Sequence, residues 1–161
     1  MVLQIQIVCV GNLKEKYLKE AVSEYLKRLS RFCRVTINEV PEEKVPETLS
    51  VTEKEQVLKK EAERIRNALF KNTFTVVLDL KGKQPDSMEL SKLLSSWMLQ
   101  GKSSISFIIG GSIGLDRQLV NEADYNLCLS NLTFPHQLTR VILLEQIYRC
   151  FKIINNEPYH K

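Results

Sequence analysis

Short blocks of consecutive apolar residues alternate along this chain with longer stretches in which apolar positions recur every three or four residues. Residues 2–10 (VLQIQIVCV) are a near-continuous apolar run, 74–80 (FTVVLDL) and 104–109 (SISFII) predict buried strands, and 34–40 and 125–130 (YNLCLS) predict two further strands. Between them lie helical patterns. Residues 14–29 place Tyr17, Leu18, Val22, Tyr25, Leu26 and Leu29 at helical spacing. The stretch 41–49, acidic and containing prolines, reads as a loop. Thr52, with Glu55 three positions on, has the form of a capping box, in which hydroxyl and carboxylate each satisfy a free backbone N–H. It is expected to open a charged helix running to about Phe70, with Val57, Leu58, Ala62, Ile65 and Leu69 on one side. GKQPD after residue 80 predicts a turn, and Asp86 with Glu89 caps a helix ending near Gly101. A short helix around 116–123 and a long one from about 137 to 154 complete the pattern. Strands that are apolar throughout, interleaved with helices, predict an α/β fold: a mainly parallel sheet with helices on both faces. No repeat, low-complexity tract or linker divides the chain, so residues 1–161 are read as one domain.

In such sheets ligands bind beyond the carboxyl ends of the strands. The loops after residues 80, 110 and 130 are therefore the places to seek chemistry. After the fourth strand comes Gly110-Gly111-Ser112-Ile113-Gly114. Glycine lets backbone turn tightly and approach a ligand without a Cβ in the way. The spacing is GGxxG, not the GxGxxG of a dinucleotide fingerprint, and the lysine of a phosphate-binding P-loop is missing. A ligand here would be gripped by backbone groups; the plainer reading is a tight strand-to-helix turn. The segment Leu129-Ser130-Asn131-Leu132-Thr133-Phe134-Pro135-His136 is the second candidate. Its proline suits a helix's first turn, and read plainly it does no more than start the last helix.

That last helix has an unusually wide apolar arc, roughly 160° at 100° per residue. Val141, Leu144, Tyr148 and Phe151 form one stripe, continued by Leu143, Ile147 and Ile154. A wide arc predicts burial against both the sheet and a second surface, such as another subunit. Arg140 falls inside the arc, and a buried arginine needs an anionic partner, either Glu145 or a carboxylate remote in sequence. Glu145, Gln146, Arg149 and Lys152 occupy the opposite side. The tail Glu157-Pro158-Tyr159-His160-Lys161 ends on aromatic and basic groups.

Composition narrows the classes. Apolar and charged fractions are close to globular averages, and no apolar stretch approaches the roughly 18 to 20 residues of a membrane span. The start lacks a basic leader and reads as a strand, not a signal peptide. A net charge of +4 permits a polyanionic partner without demanding one. Cys9, Cys33, Cys128 and Cys150 form no CxxC pair and are expected to be buried free thiols in a reducing compartment. The two histidines lie far apart and lack a metal-ligand constellation, so no metal site is expected.

IIGGSIGL, LTFPHQLTRVILLEQIYR and the terminal EPYHK, in this order and spacing, closely resemble the bacterial ribosomal RNA large subunit methyltransferase H family, of the SPOUT class. GNLKEKY after the first strand and the VLDLKGK strand match as well, so the resemblance spans essentially the whole chain. It implies a cytoplasmic homodimer whose C-terminal part is threaded into a trefoil knot, a topology no periodicity would suggest. It implies S-adenosylmethionine as cofactor, held in a bent shape by Leu78, Gly110 and the run Leu129, Ser130, Asn131, Leu132, Thr133 and Phe134. The implied substrate is a pseudouridine in large-subunit ribosomal RNA, read in the assembled ribosome and methylated at N3.

N3 carries a weakly acidic proton that must leave before or during attack, so a general base, or a basic group stabilising the anionic base, is required. The candidates are His136, Arg140, Glu145, Arg149, Tyr159 and His160. Arg140 and Arg149 are expected to act on phosphate or developing charge. Tyr159 and His160 are expected to complete the site around the base, across the dimer. Two other readings fit the same alternating pattern: a non-catalytic ribosome-binding factor, and a nucleotide-binding oxidoreductase or hydrolase.

Overall fold

A computed structural model describes residues 2–160; Met1 and the last residue of the EPYHK motif, Lys161, lie outside it. Five strands form one all-parallel sheet in the order β2-β1-β4-β3-β5. In chain order the elements are β1 (Gln4–Val10), α1 (Lys16–Leu29), β2 (Arg34–Val40), α2 (Val51–Ala68), β3 (Phe74–Lys83), α3 (Ser87–Leu99), β4 (Ser104–Ile109), α4 (Arg117–Glu122), β5 (Tyr125–Leu127) and α5 (His136–Ile154). The expected α/β architecture with both faces covered is what is found.

The central strands β1 and β4 are apolar almost throughout because each has two buried faces, whereas β2, at the edge of the sheet, is only partly buried. Ile5, Ile7 and Cys9 of β1 point to a core shared with α1, α3 and α5, while Val8 and Val10 point to a smaller one under α2 and α4. Gln6 is the polar exception in β1, and it is fully buried. Its amide donates to Asn38 and to the Ala68 carbonyl, and its oxygen accepts from Phe70 N–H and the Ser106 hydroxyl. A buried amide so completely matched costs little and ties the end of α2 to the sheet.

Three local expectations are corrected. Helix α2 opens two residues earlier than its Thr52 signature suggests: Ser50 is the N-cap, its hydroxyl accepting from Glu53 N–H at 3.1 Å. The turn expected over GKQPD is confined to Gln84, Pro85 and Asp86, since β3 continues to Lys83 and Leu127 pairs with both Leu78 and Lys83. The residues between bulge out of the ladder, as extra residues opposite a single partner must. Strand β5 stops at Leu127, not at Ser130. Cys128 N–H reaches the Lys83 carbonyl, and the chain then leaves the sheet. The capping box of α3 at Asp86 and Glu89 forms as expected.

Candidate functional site

Both departures from regular strand occur where they open a cavity. The bulge of β3, the loop after β4 and the segment after β5 lie together beyond the carboxyl edge of the sheet, around a cleft of about 800 Å³. Leu78 to Lys81 form one wall, Gly110, Gly111, Ile113, Gly114 and Leu115 a second, and Leu129, Ser130, Leu132, Thr133 and Phe134 a third. His136 and Thr139, in the first turn of α5, close the base. A fourth wall comes from the opening of α2, through Val51, Lys54, Glu55 and Leu58.

Gly110 is required where it stands. A Cβ there would lie 2.8 Å from the Gly114 carbonyl oxygen and 2.8 Å from Leu115 Cγ, so the turn could close only by moving backbone. The turn is also held from outside, because Glu42 accepts from the Ser112 N–H at 3.2 Å and from its hydroxyl at 2.9 Å. Across the cleft, Ser130 Oγ accepts from Leu132 N–H at 3.0 Å, shaping the third wall. The walls are mostly apolar, with Asp79 and Arg117 paired at 3.6 Å on the rim.

The remaining candidates gather elsewhere. Arg149 donates to the Glu145 carboxylate through Nε at 2.9 Å and through its terminal nitrogen. It lies 4.7 Å from the centre of the Tyr159 ring and bonds His160 Nδ1 at 3.1 Å. Tyr159 donates its hydroxyl to Glu145 at 3.3 Å and packs edge-on against Tyr148. A guanidinium can only donate, so His160 Nδ1 must accept, and a neutral His160 then carries its proton on Nε2. Burial and contacts with Tyr25 and Glu145 push the Tyr159 hydroxyl up to about 12, so at neutral pH it is a donor and not a base. The hydrogen bond from Arg149 to Glu145 likewise raises the guanidinium above its ordinary value.

Two clusters thus hang on one helix. His136 lies in the cleft, while Glu145 and Arg149 stand roughly 13 and 20 Å further along the axis at 1.5 Å per residue. Arg140 belongs to neither cluster. It is only 2% exposed, forms an ion pair with Glu39 at the end of β2, and donates to the Gly11 carbonyl at 2.8 Å. Its partner is therefore the remote carboxylate and not Glu145. Of the eight residues expected around a cofactor, Leu78, Gly110, Leu129, Ser130, Leu132, Thr133 and Phe134 line the cleft, and Asn131 is exposed beside it without lining it. Glu39, Glu42 and the α2 wall escaped the sequence reading. Among the described residues no group of three acidic, histidine or cysteine side chains could hold a metal ion, and no helix is long and apolar enough to cross a membrane.

Residues 3–160 match the family model described as "Predicted SPOUT methyltransferase". Similar curated proteins include the ribosomal RNA large subunit methyltransferase H of Acetivibrio thermocellus, 55% identical over 99% of this chain and all of that one. That of Ruminiclostridium cellulolyticum is 58% identical with the same coverage. The chain belongs to this family of SPOUT methyltransferases. Two solved structures share the fold at low identity. A probable methylase family protein from Haemophilus influenzae superposes with a TM-score of 0.52 at 13% identity, over 99% of this chain and 70% of that one. A tRNA (m1G37) methyltransferase from Aquifex aeolicus gives 0.53 at 14%, over 92% and 70%. A methyltransferase needs a place for a methyl donor, and the cleft at the carboxyl edge of the sheet is the candidate for it.

Proposed function

We propose that this chain is a homodimeric, S-adenosylmethionine-dependent enzyme that methylates N3 of a pseudouridine in large-subunit ribosomal RNA, on the assembled ribosome in the cytoplasm. The observation that carries the reading is the division of the family's motifs into a donor-sized cleft and a separate cluster of hydrogen-bond donors. The relatives' names give large-subunit ribosomal RNA as their substrate. The cleft fits the cofactor in size and character: about 800 Å³, apolar walls for a ring and ribose, and a glycine turn that brings backbone to the ligand. Leu78, Gly110 and Leu129 to Phe134 would hold it, with Asn131 at the rim. Bound there, the sulfonium supplies an electrophilic methyl group. The reading includes the trefoil knot, which rests on family membership.

Transfer requires nucleophile and methyl about 3 Å apart and in line. The cluster at Glu145, Arg149, Tyr159 and His160 is too far along α5 to serve the cleft of its own chain. A two-fold partner whose α5 runs the opposite way would bring its cluster to that cleft, and the half-buried Val141 and exposed Leu138 offer it apolar contact. In the cluster, Arg149 and the Nε2–H of His160 present positive charge and a donor. Glu145 is already engaged by Arg149, Gln146 and Tyr159. The group is therefore suited to stabilising the anion left when N3 loses its proton, more than to removing the proton. His136, in the cleft, is the side chain placed to accept it. The base must be unpaired or extruded to enter. Arg140, engaged by Glu39 and Gly11, positions the start of α5 against β1 and β2.

The test is incubation of the protein and labelled S-adenosylmethionine with assembled ribosomes and, separately, with a naked stem–loop, followed by mass mapping of the methylated nucleotide. Methylation of one pseudouridine, on ribosomes in preference to the stem–loop, is the expected result. Cofactor binding without methylation of either would leave the ribosome-binding factor as the better reading.

A further inference from the structure

The net charge of +4 is not spread over the molecule. Residues 14–34 hold seven basic side chains against three glutamates, a surplus of four, while the rest of the chain holds sixteen of each sign. That segment is α1 with its two flanks. Lys16, Lys19, Ser23 and Lys27 recur at helical spacing and are all exposed, on the face of α1 opposite the buried Leu18, Val22 and Leu29. Arg34 is exposed where it opens the edge strand β2. Glu20 and Glu24 are taken up by Lys16 and Arg28, whereas Lys19, Lys27 and Arg34 have no carboxylate within 4 Å among the described residues.

The stripe also runs between the two halves of the site. At one end Lys14 N–H donates to Gln137 in the first turn of α5, beside the cleft, at 3.3 Å. At the other, Arg31 pairs with Glu157 at 3.1 Å and Arg28 lies 5.8 Å from the ring centre of Tyr148, against which Tyr159 packs. Helix α1 is about 21 Å long at 1.5 Å per residue, enough to follow several phosphates.

We infer that the outward face of α1, through Lys19 and Lys27 and with Arg34 at the start of β2 beyond its end, is the surface on which the phosphate backbone of large-subunit ribosomal RNA docks. The inference rests on the proposed ribosomal substrate and adds where the RNA lies. Unpaired surface cations in a chain otherwise balanced in charge give a local field that steers and holds a polyanion. They give no base specificity, which the cleft and the Tyr159 cluster would supply.

The test compares wild-type protein with the Lys19→Gln/Lys27→Gln/Arg34→Gln variant in binding to purified large ribosomal subunits across a salt series. Methylation and oligomeric state are followed in the same samples, and Lys59→Gln/Lys60→Gln on the exposed side of α2 is the control. The expected loss is roughly ten- to a hundredfold in affinity near 0.1 M salt, with a log–log salt slope shallower by about two. The control binds as wild type. Equal affinity of triple variant and wild type overturns the inference, as does a loss matched by the control. Weaker binding at an unchanged slope would assign the face to an acidic ribosomal protein, and a changed oligomeric state to a second copy of the chain. Either refutes RNA docking. Binding without methylation by the wild type would instead remove the substrate reading and leave the surface to be judged by affinity alone.

Discussion

The two ends of α5 solve opposite problems with opposite materials. The cleft end is built from backbone and apolar surface: a glycine turn that tolerates no Cβ, a bulged strand, and a loop shaped by a serine. The far end is built from charge: a carboxylate holding an arginine that holds a histidine, with a tyrosine closing the ring. A cleft of the first kind recognises a ligand by shape and changes little electrostatically when it binds. A cluster of the second kind is suited to meeting charge as it develops. Substitutions at the two ends should therefore fail in different ways.

The largest effect is expected at the charged end. Arg149→Met should lower kcat on ribosomes about 100- to 1,000-fold, the usual cost of losing a donor to developing charge. Its affinity for S-adenosylmethionine should stay within about twofold. At the cleft end the pattern inverts. Gly110→Val pushes a side chain onto the Gly114 carbonyl and Leu115, an overpacking of about 1 to 3 kcal/mol concentrated on the ligand wall. Cofactor affinity should fall about 100-fold by calorimetric titration, with circular dichroism unchanged. If both variants lose cofactor binding equally, the two ends are one site and the contrast is wrong. Mixing the two variants sharpens it further. A heterodimer carrying both lesions in different chains keeps one site intact only if cleft and cluster come from different protomers.

The cleft end was the more legible in sequence, because its parts are local. Gly110 to Gly114 and Leu129 to Phe134 are short runs of which all but Ser112 and Asn131 line the cleft, so naming the run names the wall. The α2 wall was invisible, since Val51, Lys54, Glu55 and Leu58 open a charged helix and nothing in that pattern points into a cavity. The lengths of β3 and β5 were misjudged for a related reason. Apolar runs report burial, and Cys128 is as buried as the strand it follows although it has left the ladder. Every residue of the charged cluster was on the candidate list, but a list has no distances. That Arg140 stands apart depends on Glu39, 101 residues away in the chain, which no helical spacing could supply.

Arg140 is where scaffold and chemistry can be told apart. Removing its guanidinium leaves the Gly11 carbonyl without that donor, while Glu39 keeps Leu13 N–H and access to water. Breaking a fully buried pair costs about 3 to 5 kcal/mol. With Glu39 partly exposed, Arg140→Met should cost about 2 kcal/mol in urea unfolding. Adding Glu39→Gln should recover part of the loss, because a neutral amide still accepts from Leu13 without leaving a charge unpaired. Activity per folded molecule should change only a few-fold. A large activity loss with full stability would move Arg140 from the scaffold to the RNA.

The smallest effect concerns protons held in the main apolar core and in the charged cluster. Burial pushes the thiols of Cys9, Cys33 and Cys150 up to about 12 from an ordinary 9.0, and the Tyr159 hydroxyl rises to about 12 from 10.0. The folded chain keeps these protons after the unfolded chain has released them. Stability is therefore full below pH 9 and falls as the pH rises towards 12, with the thiols contributing first and Tyr159 only above 10. The thiols sit within the main apolar core and Tyr159 within the charged cluster, so the two contributions separate by variant. Replacing the three cysteines with alanine should flatten the decline in urea midpoint between pH 9 and 10. Tyr159→Phe should leave that interval unchanged and flatten only the decline above 10. If Tyr159→Phe leaves the decline above 10 unchanged as well, the hydroxyl ionises near its ordinary value in the folded chain. It could then share in taking the proton from N3, and the cluster would be base as well as donor.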